Sequence, residues 1–301
     1  MEKLTLDNLQ TLEAESVHII RETVAMFERP VMLYSAGKDS SVLLRLAQKA
    51  FYPGPVPFPL LHVDTSLKFP EMYAFRDQAA REAGVHISVY TNREALACGA
   101  NPSDLGTVRC CELLKTQALL AAIREGGHTA AVGGARREEE RSRAKERIWS
   151  IRDKYGQWEP RLQRPEPWNL CNPRLSPGET MRVFPLSNWT ELDIWLYIAA
   201  ERIPVVPLYF AKKRKVIIRG ERILALGHGV KPVGGEDIRT LSVRFRTLGC
   251  QPCTGAIRST ARTIEEVIRE TATLRRSERD TRLIDSDVDG SMERKKVEGY
   301  F

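Results

Sequence analysis

Short apolar runs alternate with segments of helical periodicity over the first two thirds of the chain. Four apolar runs predict buried strands, at residues 31–34, 60–63, 85–90 and 129–132. Between them, the spacing of apolar residues predicts helices after the first run, from Pro70, and before the fourth run. Strands that alternate with helices indicate parallel βαβ units with right-handed crossovers. We therefore predict an α/β fold with a parallel twisted sheet and helices on both faces.

The same patterns divide the chain into three segments. An amphipathic N-terminal helix covers residues 1–27, an α/β domain covers 28–210, and a C-terminal extension covers 211–301. Within the domain, residues 152–181 contain five prolines and two tryptophans, which indicates a long loop or lid. The extension carries Lys- and Arg-rich hairpin-like segments and ends in a charged tail.

The segment after the first predicted strand has the composition of an anion-binding loop. Residues 35–41 read Ser-Ala-Gly-Lys-Asp-Ser-Ser and join a buried strand to a helix. Loop amides and helix N–H groups would converge there, the helix dipole favours negative charge, and Lys38 adds a cation. The spacing excludes a Walker A loop, because Met32 stands where that motif requires glycine, and Asp39 where it requires Ser or Thr. The alternative is a Ser/Gly turn that only caps a helix.

Two further strand ends supply candidates, because ligands of open parallel sheets lie beyond the carboxyl ends of the strands. Asp64 and Thr65 follow the second strand and could meet the ribose or adenine, or could form a capping or turn pair. Arg136 and Arg137 follow two glycines after the fourth strand, and guanidinium groups suit tetrahedral oxyanions. The Glu- and Arg-rich residues 138–147 fit a solvated helix in their later half.

The chain is basic, with a net charge of +7 and a pI near 9.1. This charge suits either a nucleic-acid surface or several small anions, but no nucleic-acid module surrounds the basic residues, and we expect no nucleic acid. Arg244 and Arg246 alternate along a predicted strand, where they either contact a phosphate or face water. No apolar run approaches eighteen residues and the N-terminus lacks a secretory pattern, so we expect a cytoplasmic protein without membrane contact.

Six cysteines do not resemble a disulfide framework in a chain of this length. The adjacent pair Cys110-Cys111 and the motif Cys250-x-x-Cys253 would together offer four thiolates to zinc or to an iron–sulfur cluster. One CxxC motif and one adjacent pair are a weaker signal than two CxxC motifs. The alternative is a set of structural free thiols, and we expect no metal.

Several separated motifs occur in the order seen in one known family. The loop at residues 35–40 has the S-x-G-x-D-S pattern of the ATP pyrophosphatase (PP-loop) family, with its adenine nucleotide alpha hydrolase-like fold. The further motifs are 62–65, 133–137, 183–190, 244–250 and 299–301. From about residue 10 to residue 301, the chain resembles the small, nucleotide-binding subunit of the bacterial heterodimeric sulfate adenylyltransferases.

This resemblance implies a reaction in which ATP and sulfate give adenosine 5′-phosphosulfate and pyrophosphate, with Mg2+ accompanying ATP. Sulfate is a poor nucleophile, so catalysis would depend on positioning and charge neutralisation, and we assign no catalytic base. The expected catalytic residues are Lys38, Arg136 and Arg137. The expected ATP-binding residues are Ser35, Gly37, Lys38, Asp39, Ser40, Ser41, Asp64 and Thr65. Further contacts to sulfate or phosphate are expected from Arg136, Arg137, Arg244 and Arg246.

Adenylylation of sulfate runs uphill, and the sequence has only one recognisable nucleotide loop. The resemblance supplies a larger GTPase subunit as partner. The candidate contact surface or active-site cover comprises residues 212–215, Arg244, Arg246 and 295–301, with a solvated tail as the alternative.

Two other functions compete with this interpretation. A phosphosulfate reductase with a Cys-ligated iron–sulfur cluster also needs a cysteine near the C-terminus, and no cysteine follows Cys253. A PP-loop tRNA-thiolating protein would use the positive charge to bind RNA.

Overall fold

The computed structural model describes residues 2–227, 229–273 and 278, with the backbone alone at residues 2–7, 141–142 and 169. The helices are α1 (Glu2–Met26), α2 (Lys38–Phe51), α3 (Pro70–Ala83), α4 (Arg93–Ala97), α5 (Pro102–Cys111), α6 (Ala118–Glu125), α7 (Arg141–Ala144), α8 (Glu191–Glu201) and α9 (Ile264–Thr273), with a π-helical segment Glu112–Gln117 between α5 and α6. The strands are β1 (Pro30–Leu33), β2 (Leu60–Val63), β3 (Ile87–Tyr90), β4 (Ala130–Val132), β5 (Trp149–Arg152), β6 (Thr180–Val183), β7 (Lys212–Arg219), β8 (Arg222–Ala225), β9 (Arg239–Arg244) and β10 (Ile257–Arg258).

The main sheet has the order β3-β2-β1-β4-β6-β5, and its neighbours pair in parallel except for the antiparallel edge strand β5. The prediction of a parallel α/β sheet is thus confirmed. Met32 of β1 pairs with Leu60 of β2 on one side and with Val132 of β4 on the other. The strand order therefore reverses between β1 and β4, which is where open α/β sheets bind ligands.

Helices cover both faces of the central strands. Met32 packs into a cluster with residues of α1, α2 and α8, whereas its neighbour Val31 packs with Leu119 and Ile123 of α6. Strands buried on both faces read as continuous apolar runs, which explains why these strands could be located from the sequence. No helix in the described part of the chain is both long and apolar enough to cross a membrane.

The connection between β5 and β6 lies along the outer edge of the main sheet. The Gln163 side-chain oxygen accepts a hydrogen bond from the Ile151 N–H (2.9 Å), and the Glu166 carboxylate accepts one from the Trp149 N–H (2.8 Å). These side chains satisfy backbone groups that β5 would otherwise offer to a further strand. Residues 152–181 do not line the cleft described below. The segment therefore covers a sheet edge, which agrees with the predicted long loop and not with the alternative of a lid over the cleft.

The C-terminal extension begins with a second, antiparallel sheet of order β10-β9-β7-β8. This sheet packs against the α/β domain through Phe245, which directly follows β9. The centroid of its ring lies 4.9 Å from that of Phe69, and its N–H donates to the Leu208 carbonyl (3.1 Å). The Gln251 N–H also donates to the carbonyl of Leu67 (2.7 Å). The residues after β9 are thereby brought to the carboxyl end of β2. The predicted contact tail, residues 295–301, lies outside the described residues.

Candidate active site

A cleft of about 260 Å³ opens at the switch point between β1 and β4. Its floor is the loop that leads into α2, which begins at Lys38. The Gly37 N–H donates to Ser40 Oγ (3.0 Å), and Ser41 Oγ donates to the Gly37 carbonyl (3.0 Å). A Cβ atom on Gly37 would lie 3.3 Å from Ser35 Oγ, so a larger residue would crowd the loop. These contacts hold the helix N-terminus open towards the cleft.

Lys38 is buried despite its charge, with 1% of its surface exposed. Its backbone N–H donates to Tyr209 Oη (2.8 Å), while Nζ donates to Asp39 Oδ2 (3.2 Å) and to the Glu278 carboxylate. Burial alone would lower the pKa of Lys38, but the charges of Asp39 and Glu278 outweigh it and raise this pKa above the usual range. The side chain is therefore held as an ammonium ion.

Arg136 is a second buried cation in the same place. Its Nε donates to Asp39 Oδ1 (2.7 Å), its Nη1 to the Glu138 carboxylate (3.2 Å), and its Nη2 to Glu278. The approach depends on Gly134, where a Cβ atom would lie only 3.2 Å from Asp39 Cβ. The paired strand ends thus bring Lys38 and Arg136 onto the same two carboxylates.

The neighbouring Arg137 does not join this group. Its Nη1 donates to Asn188 Oδ1 (2.6 Å), and the residue does not line the cleft. Arg143 does line the cleft; its side chain is 11% exposed and pairs with Glu139 at 3.1 Å. The prediction of a solvated helix in the later half of 138–147 is wrong, because that segment contains only the single turn α7 before β5 begins.

The two residues predicted after β2 have different environments. Thr65 lines the cleft, and its Oγ1 lies 3.1 Å from Cys250 Sγ. Asp64 is absent from the lining; its Oδ1 accepts hydrogen bonds from the Ser66 N–H and from Tyr73 Oη, each at 2.8 Å. Asp64 therefore fits the turn interpretation, while Thr65 remains a candidate ligand contact.

Two lysines that the sequence patterns did not indicate also line the cleft. Lys68 Nζ donates to the Val63 carbonyl (2.8 Å) and lies 2.9 Å from His62 Nε2. Burial lowers the pKa of Lys68 to about 8 and that of His62 to about 2. The second lysine, Lys115, comes from the π-helical segment. Neither lysine belongs to a motif, so only the fold could reveal them.

Arg244 and Arg246 are buried in ion pairs, so they neither face water nor line the cleft. Arg244 Nη2 lies 2.7 Å from Glu270 of α9. Arg246 lies beyond the end of β9, and its Nη2 lies 2.5 Å from Glu191 at the start of α8. Although burial would raise the pKa of Glu191, the charges of Lys38 and Arg246 hold it below the usual range. Lys38 and Arg136 do not line the cleft either, but they pair with Asp39 and Glu278, which do. Glu270 and Glu191 do not line it, so this geometry does not support direct sulfate or phosphate contacts from Arg244 and Arg246.

Four cysteines form a buried cysteine group next to the cleft. Burial raises the pKa of Cys110 to about 11, and a hydrogen bond from the Cys111 side chain together with burial raises the pKa of Cys253. No three sulfur atoms of the group lie within 4.8 Å of one another. A single tetrahedral zinc would need sulfur–sulfur distances of about 3.8 Å, so the group is not arranged for it. Its members are Cys110, Cys111, Cys250 and Cys253.

Comparison of the sequence with known proteins identifies the family of the chain. Residues 29–256 match the family described as "Phosphoadenosine phosphosulfate reductase domain". A Myxococcus xanthus protein named "Sulfate adenylyltransferase subunit 2" is 59% identical over 98% of this chain and 97% of its own length. Proteins of the same name are 54% identical in Akkermansia muciniphila, over 98% of both chains, and 56% identical in Bacteroides thetaiotaomicron, over 100% of both.

Proposed function

This chain belongs to the sulfate adenylyltransferase subunit 2 family, and we propose that it transfers AMP from ATP to sulfate, giving adenosine 5′-phosphosulfate and pyrophosphate. The observation that carries this proposal is the pair of buried cations, Lys38 and Arg136, at the N-terminus of α2 and at the switch point of the sheet. Such an arrangement suits a nucleotide phosphate and a second oxyanion side by side.

The chemistry follows from charge and position. Displacement at the α-phosphorus of ATP needs an aligned nucleophile and a stabilised leaving group. The Lys38 ammonium and the dipole of α2 hold the departing pyrophosphate, and Arg136 holds sulfate or the α-phosphate with its planar fork. Sulfate is already ionised, so the step needs no protein base. Arg137, which bonds to Asn188, has no direct role in this scheme.

Mg2+ accompanies ATP in this proposal. Carboxylate oxygens are its preferred protein ligands, and oxygen atoms of Asp39, Glu139 and Glu278 all lie within 4.8 Å of one another. Asp39 and Glu139 are the residues that would hold the ion. When bound, Mg2+ supplies charge neutralisation at the phosphate oxygens.

We further propose that the chain acts in the cytoplasm, where ATP and GTP are supplied, and in a complex with a GTPase subunit. The name "subunit 2" of the relatives supports a partner, and GTP hydrolysis would supply the energy for the uphill transfer. Three of the residues 212–215, at the start of β7, are exposed and remain candidates for the contact. Arg244 and Arg246 are no longer candidates for the contact surface because both are buried.

The test is the release of labelled pyrophosphate from ATP by the chain co-purified with its GTPase. Release should require sulfate and should rise when GTP is added. The comparison variant is the Lys38→Ala complex, which should lose the activity. It should also unfold at a lower temperature, because Asp39 and Glu278 lose a buried partner, so both complexes are assayed well below that temperature. ATP turnover that is indifferent to sulfate would contradict the proposed reaction. Full activity of the isolated chain without GTP would contradict the coupling.

Neither alternative function is favoured. The relatives that cover nearly the whole chain carry the adenylyltransferase name, and the sequence has no cysteine after Cys253 to serve a reductase. Tight, strongly salt-dependent tRNA binding would revive the RNA alternative.

A further inference from the structure

The two cations assigned to substrate already hold an anion that the chain itself supplies. One carboxylate oxygen of Glu278 accepts a hydrogen bond from Lys38 Nζ, and the other accepts one from Arg136 Nη2. The Glu278 side chain is 5% exposed and lines the cleft. It lies 240 residues from Lys38 in the sequence, so the C-terminal extension places an acid within the loop site.

The charges around Glu278 are already compensated without a ligand. Besides Glu278, the acids Asp39, Glu139 and Glu191 face this position. Glu139 and Glu191 also pair with Arg143 and Arg246, so four carboxylates here meet four cations, the other two being Lys38 and Arg136. A polyanion added to this set would leave excess negative charge in a buried place, where Coulomb energies are large. One carboxylate has to leave the two cations before a substrate anion can use them.

Space leads to the same conclusion. The cleft measures about 260 Å³ with Glu278 in it. Small-molecule sites commonly measure roughly 300–1,000 Å³, and ATP is larger than most occupants of the lower end of this range. Withdrawal of the Glu278 side chain would enlarge the cleft at the point where the phosphates are expected.

We propose that Glu278 is an internal ligand of the anion site, whose carboxylate occupies Lys38 and Arg136 until a substrate anion displaces it. This inference rests on the proposed function, in which these two cations bind the substrate anion. Glu278 thereby keeps the buried cations paired before substrate binds and lowers the affinity for any anion that cannot displace it.

Sulfate is the best probe, because its charge does not change between about pH 6 and 8. Its affinity is measured by calorimetry, without turnover, on the full chain in complex with its partner. The Glu278→Gln variant should bind sulfate about tenfold more tightly, since one charge-assisted contact no longer competes. The matched control is Glu138→Gln, which also removes a negative charge from Arg136, but at a side chain that is 53% exposed and does not touch Lys38.

Two results would overturn the inference: sulfate affinity in Glu278→Gln no higher than in the unmodified chain, or an equal gain in Glu138→Gln. Because binding is measured without turnover, a tighter Glu278→Gln together with an absence of sulfate-dependent pyrophosphate release would contradict only the proposed function. Normal release with unchanged affinity would contradict only the role of Glu278.

Discussion

Replacing Arg136 with lysine tests whether the guanidinium fork, and not charge alone, is needed beside the cleft. Arg136 reaches Asp39 through Nε at 2.7 Å and Glu278 through Nη2, at opposite ends of one planar group. A lysine ammonium is a point charge and can contact only one of these positions at a time. The substitution therefore removes one directed contact while it keeps the charge.

When the substrate anion takes the position of Glu278, the contact that lysine cannot make is one to that anion, and the size of the effect follows from this single contact. A hydrogen bond to a charged group contributes about 1.5–3 kcal/mol. Since about 1.4 kcal/mol corresponds to a factor of ten, kcat/KM for sulfate-dependent transfer should fall about 10- to 150-fold. The buried acids keep a counter-charge, so Arg136→Lys should avoid the ~3–5 kcal/mol loss of stability expected when a buried charge loses its partner.

The assay is steady-state pyrophosphate release by the complex at varied sulfate and ATP, together with thermal unfolding of each variant. Arg137→Lys is the matched control, because Arg137 is adjacent in sequence but bonds to Asn188 outside the cleft. It should stay within about twofold of the unmodified chain, as surface substitutions usually cost under 0.5 kcal/mol. Equal losses in both variants would refute the assignment of Arg136 as the anion-binding arginine.

Three further predictions address other parts of the structure. Gly134→Ala should displace Asp39, since the added Cβ would lie 3.2 Å from Asp39 Cβ, and should lower kcat/KM; unchanged kinetics would show that this close approach is dispensable. A thiol reagent should modify the exposed Cys98 quickly and the buried cysteine group only after unfolding, and elemental analysis should find no stoichiometric zinc or iron; a brown, iron-containing protein would contradict this. The unfolding free energy should fall as pH drops below about 6.5, because the unfolded chain binds a proton that His62, with its pKa lowered by burial to about 2, cannot bind in the folded state. The slope from this group is at most about 1.4 kcal/mol per pH unit; His62→Gln should remove it and His86→Gln, at an exposed site, should not, so equal slopes would refute this origin.

The parts of the site that were predictable from the sequence are contiguous in it. A buried strand, a Gly-containing loop and a helix start occur within a dozen residues, so the loop at Lys38 could be located without the fold. Arg136 and Arg137 could not be ranked in the same way. Arg136 has extended backbone angles (φ −120°, ψ 144°), and successive side chains of an extended chain point to opposite sides. Which of the two reaches Asp39 and Glu278, the carboxylates that line the cleft, depends on the pairing of β4 with β1.

Glu139 and Arg143 could not be recognised as site residues from the sequence. The spacing of Glu139 and Arg143 suits a solvated helix, and the two residues do pair, but in the wall of the cleft. An i,i+4 ion pair has the same sequence signature in both environments. The strand β5 is also not evident from the sequence. Its Arg152 is buried because it pairs with Glu146 at 2.5 Å, but a charged residue in the sequence does not indicate a buried strand.

Near residue 210 the chain passes from the main sheet to the antiparallel sheet of the C-terminal extension. The site nevertheless contains residues from both sides of this boundary. From beyond that boundary, Glu278 contacts Lys38 through its side chain, and Arg246 accepts a hydrogen bond from Lys38 Nζ through its carbonyl (3.4 Å). Cys250 supplies the sulfur atom beside Thr65. A buried lysine is stable as a cation only where acids and carbonyls surround it, and here these groups come from both sides of the boundary. The loop motif therefore specifies where an anion binds, whereas the extension sets how strongly the loop's cation is paired before the anion arrives.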